Sequence, residues 1–176
     1  TVNETANGGQ WNLLGTYTFA AGTSVDNSVL VRTTGTTGYV IADAVRFVGG
    51  SGGGTGRVWA DALRLTGSWY GGTTGPEPTP AAGTGEYRVL DGAWSLSTAL
   101  SSRYGPHYQI GARDGATRKA AWYFKVPESK SYSVFGWWPA DSSRATDAQF
   151  TIISPVGQQT VTATQADISN NGTWRA

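Results

Sequence analysis

The stretch Gly38-Tyr-Val-Ile-Ala-Asp-Ala-Val-Arg-Phe47 decides the fold class. One face of it carries Ile41, Asp43, Val45 and Phe47, and the other carries Ala42, Ala44 and Arg46. That period of two belongs to a strand, not a helix. The pattern starts again at Gly56 as Gly-Arg-Val-Trp-Ala-Asp-Ala-Leu-Arg-Leu65, with Trp59, Asp61, Leu63 and Leu65 on the corresponding face. Working outward, further strand windows are bounded by Gly, Asn, Asp or Pro. The full set is Leu13–Phe19, Ser28–Thr33, Tyr39–Phe47, Val58–Leu65, Lys119–Val126, Ser131–Trp138, Ala148–Ile153 and Gln159–Thr164. Short strands separated by turn signals predict an all-β sandwich of jelly-roll type. One helix-like stretch, Ser95–Arg103, is expected as well.

The chain has 176 residues, which suits one domain, or one domain with an appendage. Eight Trp and only 14% charged residues supply a core and argue against disorder. A net charge of +1 leaves no electrostatic footprint for nucleic acid or an anionic membrane surface. No apolar run is long enough to read as a membrane-spanning helix. Cysteine is absent, which removes disulfides, thiol catalysis and cysteine-ligated zinc. The Gly, Ser, Thr, Trp and Tyr bias fits a secreted bacterial module, and a chain starting at Thr1 with no Met is expected to be a piece of a longer or processed product. Asn3-Glu4-Thr5 and Asn171-Gly172-Thr173 match the glycosylation sequon, a frequent chance match.

Two stretches read as linkers: Gly49–Gly56 (GGSGGGTG), and Thr73–Gly85 (TTGPEPTPAAGTG), whose prolines favour extended spacers. They divide the chain into 1–48, a Gly/Pro-rich 49–85 bearing one echo strand at 57–66, and 86–176. A second echo joins the ends: Asn7-Gly-Gly-Gln-Trp11 recurs as Asn170-Asn-Gly-Thr-Trp174.

Three stretches carry a family resemblance: Thr5–Ala21 (TANGGQWNLLGTYTFAA), Gly38–Phe47 (GYVIADAVRF) and Val134–Thr146 (VFGWWPADSSRAT). In them the chain resembles the golvesin C-terminal-like domain, the carbohydrate-binding-like module of xanthan lyase. The resemblance implies a β-sandwich whose halves stand here in reversed order: 1–48 corresponds to the carboxy-terminal half and 86–176 to the amino-terminal half. Three explanations stand. The domain is circularly permuted, or half of one domain pairs with half of the next chain, or the sequence is a window from a tandem array. The second echo favours the latter two. An open half sandwich would expose unpaired strand edges and an apolar face, so it needs completion in cis or by strands from a neighbour. Head-to-tail completion between chains builds a filament when the rotation does not close.

Asp43 stands on the face expected to be buried, and a buried carboxylate needs a partner. The resemblance includes Arg144, and a structural ion pair of Asp43 with Arg144 is expected; Asp61 needs a similar partner or a surface position. His107 is the single histidine, too little for a histidine-rich metal site. Gly49-Gly-Ser-Gly-Gly53 matches GxSxG but sits in a glycine run, not at a strand-to-helix elbow. No GxxxxGK, HExxH or EF-hand loop occurs, and Asp114-Gly115 and Asp141-Ser-Ser read as turns before calcium ligands. The positive signal is aromatic. Trp94, Tyr104, His107 and Tyr108 gather in or near a loop-rich segment and are candidate sugar contacts, with Tyr104 and Tyr108 expected to be exposed. Trp122–Tyr123 and Trp137–Trp138 each straddle a strand, leaving one ring of each pair a candidate for the outside.

These readings predict a non-catalytic, extracellular or cell-surface bacterial module without metal or cofactor. Its expected partners are copies of itself, joined head to tail by half-domain completion into a fibre or adhesin. The alternative is a carbohydrate-binding module of a secreted polysaccharide- or cell-wall-active protein. No motif stands behind a hydrolase or lyase.

Overall fold

The computed structural model describes residues 9–49, 57–61 and 85–166, with the side chains of 23–25 and 57–61 outside the description. Within them lie twelve strands: β1 (Asn12–Phe19), β2 (Gly22–Arg32), β3 (Val40–Ala42), β4 (Ala44–Gly49), β5 (Arg57–Asp61), β6 (Gly85–Asp91), β7 (Trp94–Ser97), β8 (Tyr108–Gly111), β9 (Lys119–Val126), β10 (Lys130–Trp137), β11 (Ala148–Ser154) and β12 (Gly157–Ala163). A four-stranded sheet of order β1-β10-β4-β5 and a five-stranded sheet of order β12-β11-β2-β9-β6 form the sandwich, and β3-β8-β7 makes a third sheet. All pairings between these strands are antiparallel. The chain changes sheet between β1 and β2, between β9 and β10 and between β10 and β11, so consecutive strands face each other across the core.

The amino-terminal and carboxy-terminal stretches interleave. β2 lies between β9 and β11, and β10 lies between β1 and β4. The echo strand β5 pairs with the strand it repeats: Val48 stands opposite Arg57, and Arg46 opposite Trp59. The glycine run expected to be a linker therefore joins two paired strands. The second linker, Thr73–Gly85, lies outside the described residues up to 84, and Gly85 opens β6.

The core follows from alternation. Leu14, Val45, Phe47, Tyr132 and Val134 from the four-stranded sheet meet Val29, Val31, Trp122, Phe124, Phe150 and Ile152 from the five-stranded one, all buried. Phe47 is the hinge of the packing: its ring centroid lies 3.9 Å from Phe124 and 4.4 Å from Phe19. Stacked aromatic pairs of this kind contribute about 0.5–1.5 kcal/mol beyond the area they bury. Of the straddling pairs, Trp122 is buried while Tyr123 is half-buried under Arg88. Trp138 is buried on Phe150, with ring centroids 5.6 Å apart.

Two expectations change. The window Tyr39–Phe47 is two strands broken at Asp43, because there the chain leaves the three-stranded sheet and enters the four-stranded one. Ala42 and Ala44, on the face expected to be outward, are buried too, since this crossing point is covered on both sides. The helix expected over Ser95–Arg103 is absent. Trp94–Ser97 pairs with β8, and the carbonyls of the following loop are bound by a side chain and not by a helical ladder. Arg103 donates from Nε to Pro106 O at 2.7 Å and from Nη1 to Leu100 O at 2.7 Å and Thr98 O at 3.0 Å.

Candidate functional site

The loop between β7 and β8 is built by those Arg103 bonds and anchored to the sandwich at two points. Trp137 Nε1 donates to Ser102 O at 2.9 Å, and the backbone N–H of Tyr104 donates to Asp43 Oδ2 at 2.9 Å. Asp43 is 1% exposed, so burial makes this charge-assisted bond count. The anchoring sets the Tyr104 ring against Trp11, at 5.2 Å between centroids, and against Trp137, at 5.7 Å. Trp11 and Trp137 are themselves 5.5 Å apart, edge to face. The Arg46 guanidinium lies 4.4 Å from the Trp11 ring centroid and 4.7 Å from that of Phe135, both within cation–π range. Trp137 thus points outward from its strand and is still covered, by Trp11 and by the loop.

A second cluster stands on one face of the three-stranded sheet. Leu96 and Gln109 are directly opposed, as are Trp94 and Gly111, and successive pairs of this spacing share a face. His107 lies two residues before Gln109, just ahead of β8. The Trp94 ring packs close beside Gly111; a Cβ at position 111 would stand 3.1 Å from it. Leu96 is 55% exposed, an unusual place for a leucine beside a tryptophan. Trp94 Nε1, Gln109 Oε1 and His107 Nδ1 are buried and have no hydrogen-bond partner among the described residues.

The residues singled out from sequence therefore separate. Trp94 and His107 belong to the three-stranded sheet face, and Tyr104 to the Trp11–Trp137 cluster. Tyr108, expected to be exposed, is fully buried. It opens β8 opposite Ser97 with its ring directed inward, so it is removed from the sugar-contact set. Its hydroxyl accepts from Arg144 Nη2 at 3.3 Å. Asp43 and Arg144 consequently both hold the segment Tyr104–Tyr108, one at each end. A direct Asp43–Arg144 ion pair is not among the ion pairs found in the described residues. The side chain of Asp61 lies outside the described residues.

The resemblance segments do meet, through backbone. Tyr39 N donates to Ser143 O, Ala145 N donates to Tyr39 O at 2.8 Å, and Tyr39 forms an isolated bridge with Arg144. Three organising residues carried no sequence signal: Gln165, Arg103 and Arg118. Arg118 donates to Ala93 O and Ala112 O and pairs with Asp114. The Asp114 carboxyl is held well below the usual carboxylate range, first by its hydrogen bond from Arg118 and then by the N–H of Ala116. Asp141 is lowered as well, mainly by the hydroxyl and N–H of Ser143. Its bonds to Ser143 make it the turn residue read from sequence. Among the described residues no group of three or more His, Asp or Glu stands close enough to hold a metal ion, and no helix is long and apolar enough to cross a membrane.

Searches of curated proteins and of solved structures return no match to the chain. A family match, by contrast, covers most of it, in the two stretches 1–49 and 82–175 that flank the echo strand and the proline-rich segment. Those stretches contain nearly every strand of the sandwich and both side-chain clusters described above. The chain belongs to the Golvesin C-terminal domain family.

Proposed function

We propose that the chain is a non-catalytic extracellular module that binds polysaccharide through the Trp94–Leu96–His107–Gln109 face. One observation carries this reading. Trp94 and the exposed Leu96 share one sheet face with Gln109, and Trp94 Nε1, Gln109 Oε1 and the neighbouring His107 Nδ1 have no hydrogen-bond partner among the described residues. These atoms are shielded from solvent, so a ligand reaches them through a local shift of the side chains that carry them, and pairing each one recovers about 1–3 kcal/mol. A sugar ring offers hydroxyls that both donate and accept, and a C–H face that packs on tryptophan and leucine. The Trp94 indole is packed beside Gly111 and against the core, so part of its side-chain entropy is already lost before binding. Membership of the family supports an extracellular setting.

Affinity electrophoresis across plant, bacterial and chitinous polymers tests the reading. At least one polymer is expected to retard the protein, and Trp94→Ala and Gln109→Leu are each expected to weaken binding by about tenfold, the loss of one good contact. Retardation by no polymer, or retardation indifferent to both substitutions, would discard it.

A second reading, self-association into a surface fibre or adhesin, is favoured by one sequence observation: the Asn7–Trp11 segment is repeated at Asn170–Trp174. The two readings are compatible, because a fibre can display binding modules.

A further inference from the structure

The described end of the first repeated segment, Gly9–Trp11, has a defined seat. Gly9 N donates to Trp138 O at 2.8 Å, fixing the segment to the end of β10. Asn12 Nδ2 donates to Gln10 O at 3.0 Å, closing the turn that precedes β1. Between these anchors the Trp11 ring lies among Tyr104, Trp137 and Arg46. What the seat reads is therefore small: a glycine whose N–H reaches Trp138 and, two residues later, an indole for the cationic and aromatic walls. Asn170-Asn-Gly-Thr-Trp174 has that same glycine and that same tryptophan, at the same spacing, with asparagine again at its start.

We propose that Trp174 and Trp11 are alternative occupants of one seat, so that the Asn170–Trp174 segment of a second copy of the chain docks where the first copy holds its own Gly9–Trp11. This rests on the self-association reading and is independent of the sugar-binding face, which shares no residue with the seat. Exchange costs little in contacts, because one indole replaces another against the same walls. The balance between closed single chains and linked chains is then set by concentration. The link is heterologous, tail of one copy to seat of the next, so it propagates in one direction.

The test uses the full chain and a labelled peptide of residues 166–176. In fluorescence anisotropy the peptide is expected to bind saturably to the Trp11→Ala chain, about tenfold more weakly to the unaltered chain, whose seat is already filled, and not at all when the peptide carries Trp174→Ala. In sedimentation velocity the unaltered chain is expected to shift to larger species as concentration rises, and Trp174→Ala to remove that shift. Trp174 lies outside the described residues, and this arm stands even if Trp11→Ala fails to fold. Identical sedimentation of the unaltered and Trp174→Ala chains overturns the proposal, as does peptide binding that survives loss of the Trp174 indole.

Discussion

Gln165 and Ile41 bond to each other as two paired strands would, except that one partner is a side chain. Ile41 N donates to Gln165 Oε1 at 2.7 Å, and Gln165 Nε2 donates to Ile41 O at 3.0 Å. The backbone of Gln165 extends the contact: its N–H donates to Ala145 O, and its carbonyl accepts from Asp141 N. Gln165 is fully buried, so no water replaces these bonds. Gln165→Leu keeps the volume and strands both backbone groups of Ile41. We expect a loss of about 2–6 kcal/mol in urea unfolding, two orphaned groups at 1–3 kcal/mol each. A loss below 1 kcal/mol would mean that the amide contributes no more than packing.

Asp43 holds the loop by accepting the Tyr104 N–H. Asp43→Ala removes a buried charged acceptor, and we expect about 1.5–3 kcal/mol of destabilisation. The change should also appear in the near-ultraviolet dichroism, because the Tyr104 and Trp137 rings lose their fixed geometry. Asp43→Asn retains an acceptor oxygen and should recover most of that signal. Equal spectra for Asp43→Ala and the unaltered protein would show that the loop keeps its geometry without the Asp43 carboxylate.

What was legible in the sequence was whatever depends on near neighbours. The alternation in Lys119–Val126 and Ser131–Trp138 locates β9 and β10 to within a residue, because each has one face on the core. The burial of Asp43 was legible for the same reason. Tyr108 was misread because its burial depends on Arg144, 36 residues away, and a Gly-Pro-His context resembles an open loop. β7 and β8 have only four residues each, too few to establish a period, and β6 adjoins a proline-rich stretch that masks it. The Trp94–Gln109 face arises from the pairing of two such short strands. Gln165 had no signal at all, since a glutamine reads as surface until a backbone is seen to dock on it.

Gly38 is required by close approach and not by its backbone angle. A Cβ at this position would collide with the carbonyl of Arg144, and it would stand 2.6 Å from the N of Ala145. Those are backbone atoms already tied to Tyr39, so they cannot swing aside as a side chain would. Gly38→Ala should therefore cost about 1–3 kcal/mol, as overpacking does. Gly35→Ala, with open space where its Cβ would lie but φ +78, supplies the contrasting control of pure backbone strain. Amide exchange at Ala145 should accelerate in Gly38→Ala and not in Gly35→Ala. Unchanged exchange at Ala145 would place the strain elsewhere.

The pairing of Asp114 with Arg118 predicts how the fold responds to acid. The folded-state carboxyl lies well below its ordinary value, chiefly through the hydrogen bond from Arg118. In the unfolded chain it titrates near 4. A depressed folded value means that the unfolded state takes up the proton first as pH falls. The contribution is thus fully present above the unfolded value and drains away as pH descends through the folded one. Asp114 is exposed, so salt should weaken the effect. Asp114→Asn still offers an oxygen to Arg118 but no longer titrates. We expect its urea midpoint to fall less steeply than that of the unaltered protein below about pH 4, with the two curves running parallel above it. Asp141, lowered by Ser143, leaves a residual slope in the variant. Superimposable midpoint curves across the acid range would assign the acid response to other carboxylates.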